Sequence, residues 1–200
     1  MTSLLNKILS LSKNLNHKRS SFDNLKNEKS TSILFSAIED YSKISEIRYV
    51  GGCIRKILND EIIDDIDFAV NLKPNESIEA LKKNNIKYYE TGIDHGTITA
   101  LIENNKFEIT SLRKDINQKG RETDILYTND WQDDAKRRDF SFNAIYLKSN
   151  GNFVDYFDGM NDLKESKIKF IGDTEKRILE DFLRIFRYYR FLGLFKKPII

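Results

Sequence analysis

Asp65 and Asp67, in the run DDIDFAV, are two carboxylates whose type and spacing could do chemistry. Side chains alternate across a β-strand, so a strand through this run turns both to one face and Asp64 to the other. Paired hard-oxygen donors suit Mg²⁺, which takes one or two carboxylates and completes its shell with water and substrate phosphates. For a D-x-D alone, the plain alternative is a half-exposed strand with a polar face. Just upstream, YVGGCIRK reads as a strand, two glycines and a helix. Gly51 and Gly52 let backbone approach a phosphate closely, a helix N-terminus offers unpaired N–H groups, and Arg55 in the first turn can reach an oxyanion. Taken alone, a Gly-Gly pair is only a tight turn. The conjunction sets a triphosphate cradle beside a metal platform, the equipment of phosphoryl or nucleotidyl transfer. Glu108, on the apolar-flanked run FEITSL, is a third carboxylate. It either completes the metal site or supports its ligands, or it is an ordinary hydrogen-bonded edge glutamate.

These residues need a scaffold, and the 200-residue chain fits one domain or one domain with part of another. Hydrophobic residues make up 40% and charged residues 32%, the balance of a globular domain. No apolar run approaches the roughly 18 to 20 residues that a membrane-spanning helix needs. The net charge is only +2, so an anion site must be a local cluster of Lys and Arg. A single cysteine, Cys53, excludes an internal disulfide and a multi-cysteine zinc site, and two histidines, His17 and His95, argue against a histidine-rich metal site.

Apolar periodicity predicts an α+β order from about Thr31 onward. A helix over TSILFSAIEDYSKI faces Ile33, Ala37, Ile38 and Tyr41 inward. The strand IRYVGG, the helix CIRKILND, the strand DIDFAV, the helix SIEALKKN and the strand IKYYETG follow. TITALIEN and KFEITSL form a hairpin. Arg113 to Thr123 reads as a mobile polar loop. DWQDDAKRRDFSFNAI reads as one helix, and IYLKSNGNFVDYF as a hairpin turning at Asn150-Gly151. One long helix runs from about Thr174 to Leu194, with Ile178, Phe182, Ile185, Tyr189 and Leu192 as its buried stripe. Residues 1 to 28 stand apart: the first 21 lack any acidic residue and carry several serines. They read as a frayed or helical extension or, alternatively, as an organellar transit peptide.

Several ordered stretches resemble one family. VGGCIRKIL…DDIDFAV is similar to the opening motif of the class II tRNA nucleotidyltransferase and bacterial poly(A) polymerase family, a branch of the polymerase β superfamily. The resemblance continues through TGIDHGTITALIENNKFEITSLR, NDWQDDAKRRDFSFNAIYL, VDYFDGMNDLKESKIKFIGD and RILEDFLRIFRYYRF. The wording is closest to the CCA-adding type of alphaproteobacteria and organelles. The implied fold is a polymerase-β-like nucleotidyltransferase head: a small mixed or antiparallel sheet flanked by helices, spanning 29–158, followed by the start of an α-helical neck at 159–200. The implied activity is template-independent addition of CMP and AMP, from CTP and ATP, to an RNA 3′ end. The expected partner is tRNA lacking its CCA end, with poly(A) addition, partial C- or A-addition, or a non-catalytic binding fragment as alternatives. The resemblance implies Mg²⁺ on Asp65 and Asp67, and Gly51, Gly52 and Arg55 on the triphosphate. It implies Arg138 and Asp139 on the phosphates and ribose hydroxyl, with Arg137 and Asn143 nearby, and no membrane partner. A bacterial cytoplasm is the expected compartment, or an organelle if the N-terminal segment is a targeting signal. His95 and Thr97 match the family's H-G-T turn, where the histidine reads as structural. Two departures stand out. Lys56 occupies the usual aspartate position after Arg55, which puts the anchoring of Arg55 in doubt. The chain also stops inside the expected neck, as a fragment or as a short protein that needs a partner would; oligomeric state is open.

The same resemblance implies that Glu180, Asp181 and Arg184, an E-D-x-x-R set, read the incoming base. Residues three apart on a helix share a face. A carboxylate only accepts and a guanidinium only donates. Cytosine and adenine each offer an amino donor beside a ring-nitrogen acceptor and match this pair. Guanine and uracil present the opposite sense, at a cost of order 1–3 kcal/mol per mismatched buried group. The plain alternative is an ordinary i,i+4 ion pair between Glu180 and Arg184, worth about 0.3–0.5 kcal/mol. Arg187 and Arg190 are left to meet the nucleotide or the RNA end.

Overall fold

The computed structural model describes residues 29–63, 65–119 and 122–195. The N-terminal extension and the facing of Asp64 lie outside those residues. Sixteen helices and strands, with two short 3₁₀ turns, follow one another in the described chain. In chain order they are α1 (Lys29–Glu39), β1 (Ile47–Val50), α2 (Gly52–Leu58), β2 (Asp67–Val70), α3 (Pro74–Lys83), β3 (Lys87–Gly92), β4 (Thr97–Ile102), β5 (Asn105–Ser111), β6 (Arg113–Lys119) and β7 (Glu122–Tyr127). Then come α4 (Trp131–Arg137), β8 (Ile145–Lys148), β9 (Phe153–Asp155), α5 (Gly159–Lys164), α6 (Thr174–Glu180) and α7 (Leu183–Leu194).

Seven strands form one sheet in the order β3-β4-β5-β2-β1-β8-β9. Among the described residues β2 and β5 are its parallel pair, and the other neighbours are antiparallel. Strand alternation divides the core between two faces. On one, Tyr49 and Phe68 pack ring to ring at 4.8 Å and meet Phe35 of α1, with Leu34, Ile38 and Leu81 beside them. On the other, Val50, Ala69 and Tyr146 meet Trp131 and Ala135 of α4. Each large side chain so buried contributes about 1.5–3 kcal/mol. Asp67, two residues before Ala69, takes the α4 side of the sheet at the strand's first position.

Three sequence expectations are corrected here. Arg113 to Thr123 is not a loop: β6 and β7 pair antiparallel as a separate two-stranded sheet, with Lys114 opposite Leu126 and Ile116 opposite Asp124. A ladder of backbone hydrogen bonds needs no apolar face, and Ile116 and Leu126 stay exposed, so no period-2 burial pattern marks it. The helix expected through DWQDDAKRRDFSFNAI stops at Arg137, because Arg138 turns extended (φ −67°, ψ 159°). Phe140, fully buried, bridges to Phe170, and the chain then enters the short 3₁₀ turn Ser141–Asn143, which buries Phe142. The long C-terminal helix is broken at Asp181, which is extended (φ −155°, ψ 106°) and accepts from the Leu183 N–H at 3.0 Å. Aspartate competes with the helix by capping the next one. The expected stripe shifts in consequence: Phe182 is 59% exposed and Tyr189 is also exposed, while Arg184 and Phe191 face inward.

Gly159 fixes one more piece of the scaffold. A Cβ there would lie 2.2 Å from the Ser141 carbonyl oxygen, so α5 sits directly on the Ser141–Asn143 turn. The Ser141 hydroxyl donates to Asp162 of α5 at 2.6 Å, which locks the turn that carries Asn143.

Candidate active site

One cleft of about 780 Å³ is lined by Gly51, Gly52, Arg55, Asp65, Asp67, Arg137, Arg138, Asp139, Asn143, Asp181, Arg184 and Arg187. The structure therefore brings together the site residues expected from the sequence except Glu108 and Glu180. Arg113, Leu183, Arg190 and Phe191 complete the lining. Arg113 was not foreseen as a site residue; it opens a polar hairpin whose spacing carries no signal.

The carboxylate wall lies at the edge of β2. Asp65 is in the approach to the strand and Asp67 is its first residue, so the pair straddles a strand start rather than sharing a strand face. Glu108 on β5 is the direct register partner of Asp67. Burial pushes the Asp67 carboxyl up, the negative charges of Asp65 and Glu108 push it further, and Arg138 only partly offsets them, so it stands at about 6. Like charges crowded at one edge are the state that a bound cation relieves. Among the described residues no group of three or more His, Cys, Asp or Glu side chains is gathered tightly enough to hold a metal. The donor set is thus two aspartates with a glutamate adjacent, which fits a hard cation that takes its other ligands from water and phosphate.

Opposite the carboxylates stands the glycine turn. Gly51 has φ +77° and ψ −128°, a conformation that only glycine adopts without strain. A Cβ there would point into the gap between Asp67 Oδ2, at 3.7 Å, and Arg138 Nη1, at 3.9 Å. Backbone, carboxylate and guanidinium therefore converge on one small space. Arg55 is anchored without an aspartate at position 56: its Nη1 donates to Asn143 Oδ1 at 2.8 Å, and its guanidinium lies 4.9 Å from the centre of the Phe191 ring. The doubt raised by Lys56 is answered by this substitute anchor.

Arg137 and Arg138 are held from beneath by Asp134, a residue the sequence presents only as an ordinary helix acid. Asp134 is 1% exposed. It accepts from Arg137 Nε at 2.9 Å, from Arg138 Nη2 at 3.1 Å and from the Tyr146 hydroxyl at 2.7 Å. Burial alone would raise its pKa, but the guanidinium groups of Arg138 and Arg137, with the Tyr146 hydroxyl, hold it at about 2. Asp139 is tied in as well. Its Oδ1 accepts from Asn143 Nδ2 at 3.0 Å and its Oδ2 from Arg187 Nε at 2.6 Å. His95 stays outside the cleft lining; its carbonyl oxygen accepts from Arg113 Nη1, and Thr97 pairs with Thr110 at 2.9 Å.

The base-side residues are arranged differently from a shared helix face. Asp181 lies in the break between α6 and α7, with one carboxylate oxygen engaged in capping α7. Arg184 is buried and donates through Nη1 to Glu180 Oε2 at 2.7 Å and to the Arg177 carbonyl at 2.6 Å. The i,i+4 pair expected on the plain reading is therefore present, and it coexists with a guanidinium that lines the cleft.

A family model described as the poly A polymerase head domain matches residues 47–169. The chain belongs to that family. Among curated relatives of the poly A polymerase head family, the human mitochondrial CCA tRNA nucleotidyltransferase 1 is 44% identical over 149 residues, covering 74% of this chain and 34% of that protein. The chain thus spans about a third of that relative's length. The Bacillus stearothermophilus CCA-adding enzyme solved in complex with CTP superposes with a TM-score of 0.73 at 26% identity, over 82% of this chain and 38% of that one. The Thermotoga maritima CCA-adding enzyme complexed with tRNA_CCA superposes with a TM-score of 0.62 at 25% identity, over 84% and 38%. The mixed sheet flanked by helices is the head fold of these enzymes.

Proposed function

We propose that this chain carries the nucleotide-addition site of a template-independent RNA nucleotidyltransferase, and that the reaction is CCA addition to tRNA from CTP and ATP. The observation that carries the reading is the convergence, in one cleft, of a carboxylate pair, a glycine–arginine cradle and the Asp181–Arg184 pair. The names of the relatives support the choice of tRNA as substrate. We assign the catalytic head to 29–158 and the start of the neck to 159–200.

In this reading Asp65 and Asp67 hold Mg²⁺, with Glu108 beside them tuning the charge. The bound ion supplies charge neutralisation at the reacting phosphate and at the leaving group, and it acidifies the attacking hydroxyl. The primer 3′-hydroxyl attacks the α-phosphate and pyrophosphate departs. Arg138, Arg137 and Arg55 bind the triphosphate; because Asp134 and Asn143 already hold these guanidiniums in place, little ordering entropy is lost when the nucleotide binds. Asp139 accepts from the ribose hydroxyl. Asp181 offers its second oxygen to the base amino group and Arg184 donates to the ring nitrogen, which favours C and A. Among the described residues no helix is long and apolar enough to cross a membrane. With bacterial and mitochondrial relatives, a bacterial cytoplasm or an organelle is the compartment.

The test is incubation of the full protein with Mg²⁺, tRNA ending at the discriminator base and single labelled nucleotides. Ordered C, C, A addition is expected. Long A tails would replace this reading with poly(A) synthesis, and no addition to any RNA would make the chain a binding module.

A further inference from the structure

Arg177 lies in α6, outside the cleft lining, at the head of the RILEDFLRIFRYYRF stretch but outside its E-D-x-x-R set. Its guanidinium is almost buried, at 11% side-chain exposure. Nη2 donates to two backbone carbonyls in the other part of the molecule, Arg137 O at 2.5 Å and Arg138 O at 2.9 Å. These carbonyls belong to the end of α4, where a helix leaves its last acceptors unpaired and favours a cation. Nη1 donates to Glu180 Oε2 at 2.5 Å. That same oxygen accepts from Arg184, and the Arg177 carbonyl accepts from Arg184 as well. A single residue therefore ties the backbone of the two phosphate-side arginines to two acceptors of the base-side arginine. One guanidinium thus joins the two walls of the cleft through direct hydrogen bonds.

We propose that Arg177 is a positioning residue that sets Arg184 at a fixed distance from Arg137 and Arg138, and so carries part of the choice between bases. The proposal rests on the base-reading role given above to Asp181 and Arg184. A base is read only if its edge meets Arg184 while its triphosphate is engaged by Arg138. An error in the spacing between the two arginines therefore falls on the base, and falls on the correct base most. Lysine at position 177 keeps the charge but lacks the planar fork that serves two carbonyls and a carboxylate together. Methionine keeps the stem and loses every donor.

The test uses the full protein and measures kcat/KM for CTP, ATP, UTP and GTP in single-nucleotide addition to tRNA. The wild type is compared with Arg177→Lys, Arg177→Met and Arg184→Ala, with a thermal melt for each. The expected result is a loss of about tenfold or more in the CTP-over-UTP preference of both Arg177 variants, the scale on which small misplacements act. The fall should lie mainly in kcat/KM for the correct nucleotides, and lysine should restore melting temperature better than it restores selectivity. If Arg184→Ala loses selectivity while both Arg177 variants keep it, the inference is overturned and the base-reading assignment stands. If Arg184→Ala keeps selectivity, the base-reading assignment itself fails, and this inference with it. Equal losses for all four nucleotides, or unfolding of both Arg177 variants, would reduce Arg177 to a helix cap and also overturn it.

Discussion

Asp134 and Asp67 are the same residue type on the same side of one sheet, and the fold drives them in opposite directions. Asp134 sits among two guanidiniums and a tyrosine hydroxyl and is held at about 2. Asp67 is pushed to about 6 by burial and then by the carboxylates around it. Arg138 touches both settings: it pairs with Asp134 at 3.1 Å and only partly offsets the charge around Asp67. The first centre is electrically complete and serves to hold two arginines still. The second is built with unmatched negative charge, which disfavours the protein alone and favours it with a cation. Completeness marks scaffold here, and incompleteness marks the candidate site.

The largest expected effect attacks the incomplete centre. Asp67→Ala should lower nucleotide addition by about a thousandfold or more, the upper range for removing one charge-stabilising contact, while circular dichroism stays unchanged. Asp67→Asn should also be inactive yet melt at a higher temperature than the wild type in metal-free buffer, because a repelling charge is gone. A lower melting temperature would mean that Asp67 is structurally satisfied like Asp134, and the contrast would collapse. Asp134→Ala should cost about 3–5 kcal/mol in urea denaturation, the penalty for leaving buried guanidiniums without their partner. Wild-type stability in that variant would break the comparison from the other side. Acid sharpens it further. Since the folded Asp134 titrates at about 2 against an ordinary 3.8, its stabilisation is full above the ordinary value and is lost as pH falls through about 2. That contribution is about 2 kcal/mol, and Asp134→Asn should flatten this segment of the stability–pH curve. The smallest effect concerns Arg55, which Asn143 steadies at 2.8 Å. Asn143→Ala should raise KM for the nucleotide by about tenfold, the lower end of what a hydrogen bond to a charged group is worth, with kcat less affected.

What was legible in the sequence was local chemistry. The D-x-D and Gly-Gly-x-x-Arg runs announce their candidate chemistry in residue types a few positions apart, and both line the one cleft. The Glu180–Arg184 pair was legible for the same reason and forms at 2.7 Å. What was hidden depends on partners distant in the chain. Asp134 reads as an i,i+3 and i,i+4 helix acid, and only the Tyr146 hydroxyl and the cover of β8 turn it into a buried anchor. Arg177 reads as a surface helix residue until the carbonyls of Arg137 and Arg138, some 40 positions earlier, arrive beside it. The break at Asp181 was hidden because apolar spacing runs straight through it from Ile178 to Ile185, although Phe182 between them points outward. The β6–β7 hairpin was hidden because no apolar alternation marks the sequence from Arg113 to Thr123.

Among the described residues, seven arginines and four aspartates line the cleft, while the whole chain carries a net charge of only +2. The positive potential is therefore local, focused by low-dielectric walls, with the rest of the surface near balance. A triphosphate diffusing past is drawn to this mouth in preference to the remainder of the molecule, and its capture rate should fall steeply as salt shortens the reach of that field. Such a protein need not cling to polyanions over its whole surface in order to catch small ones quickly.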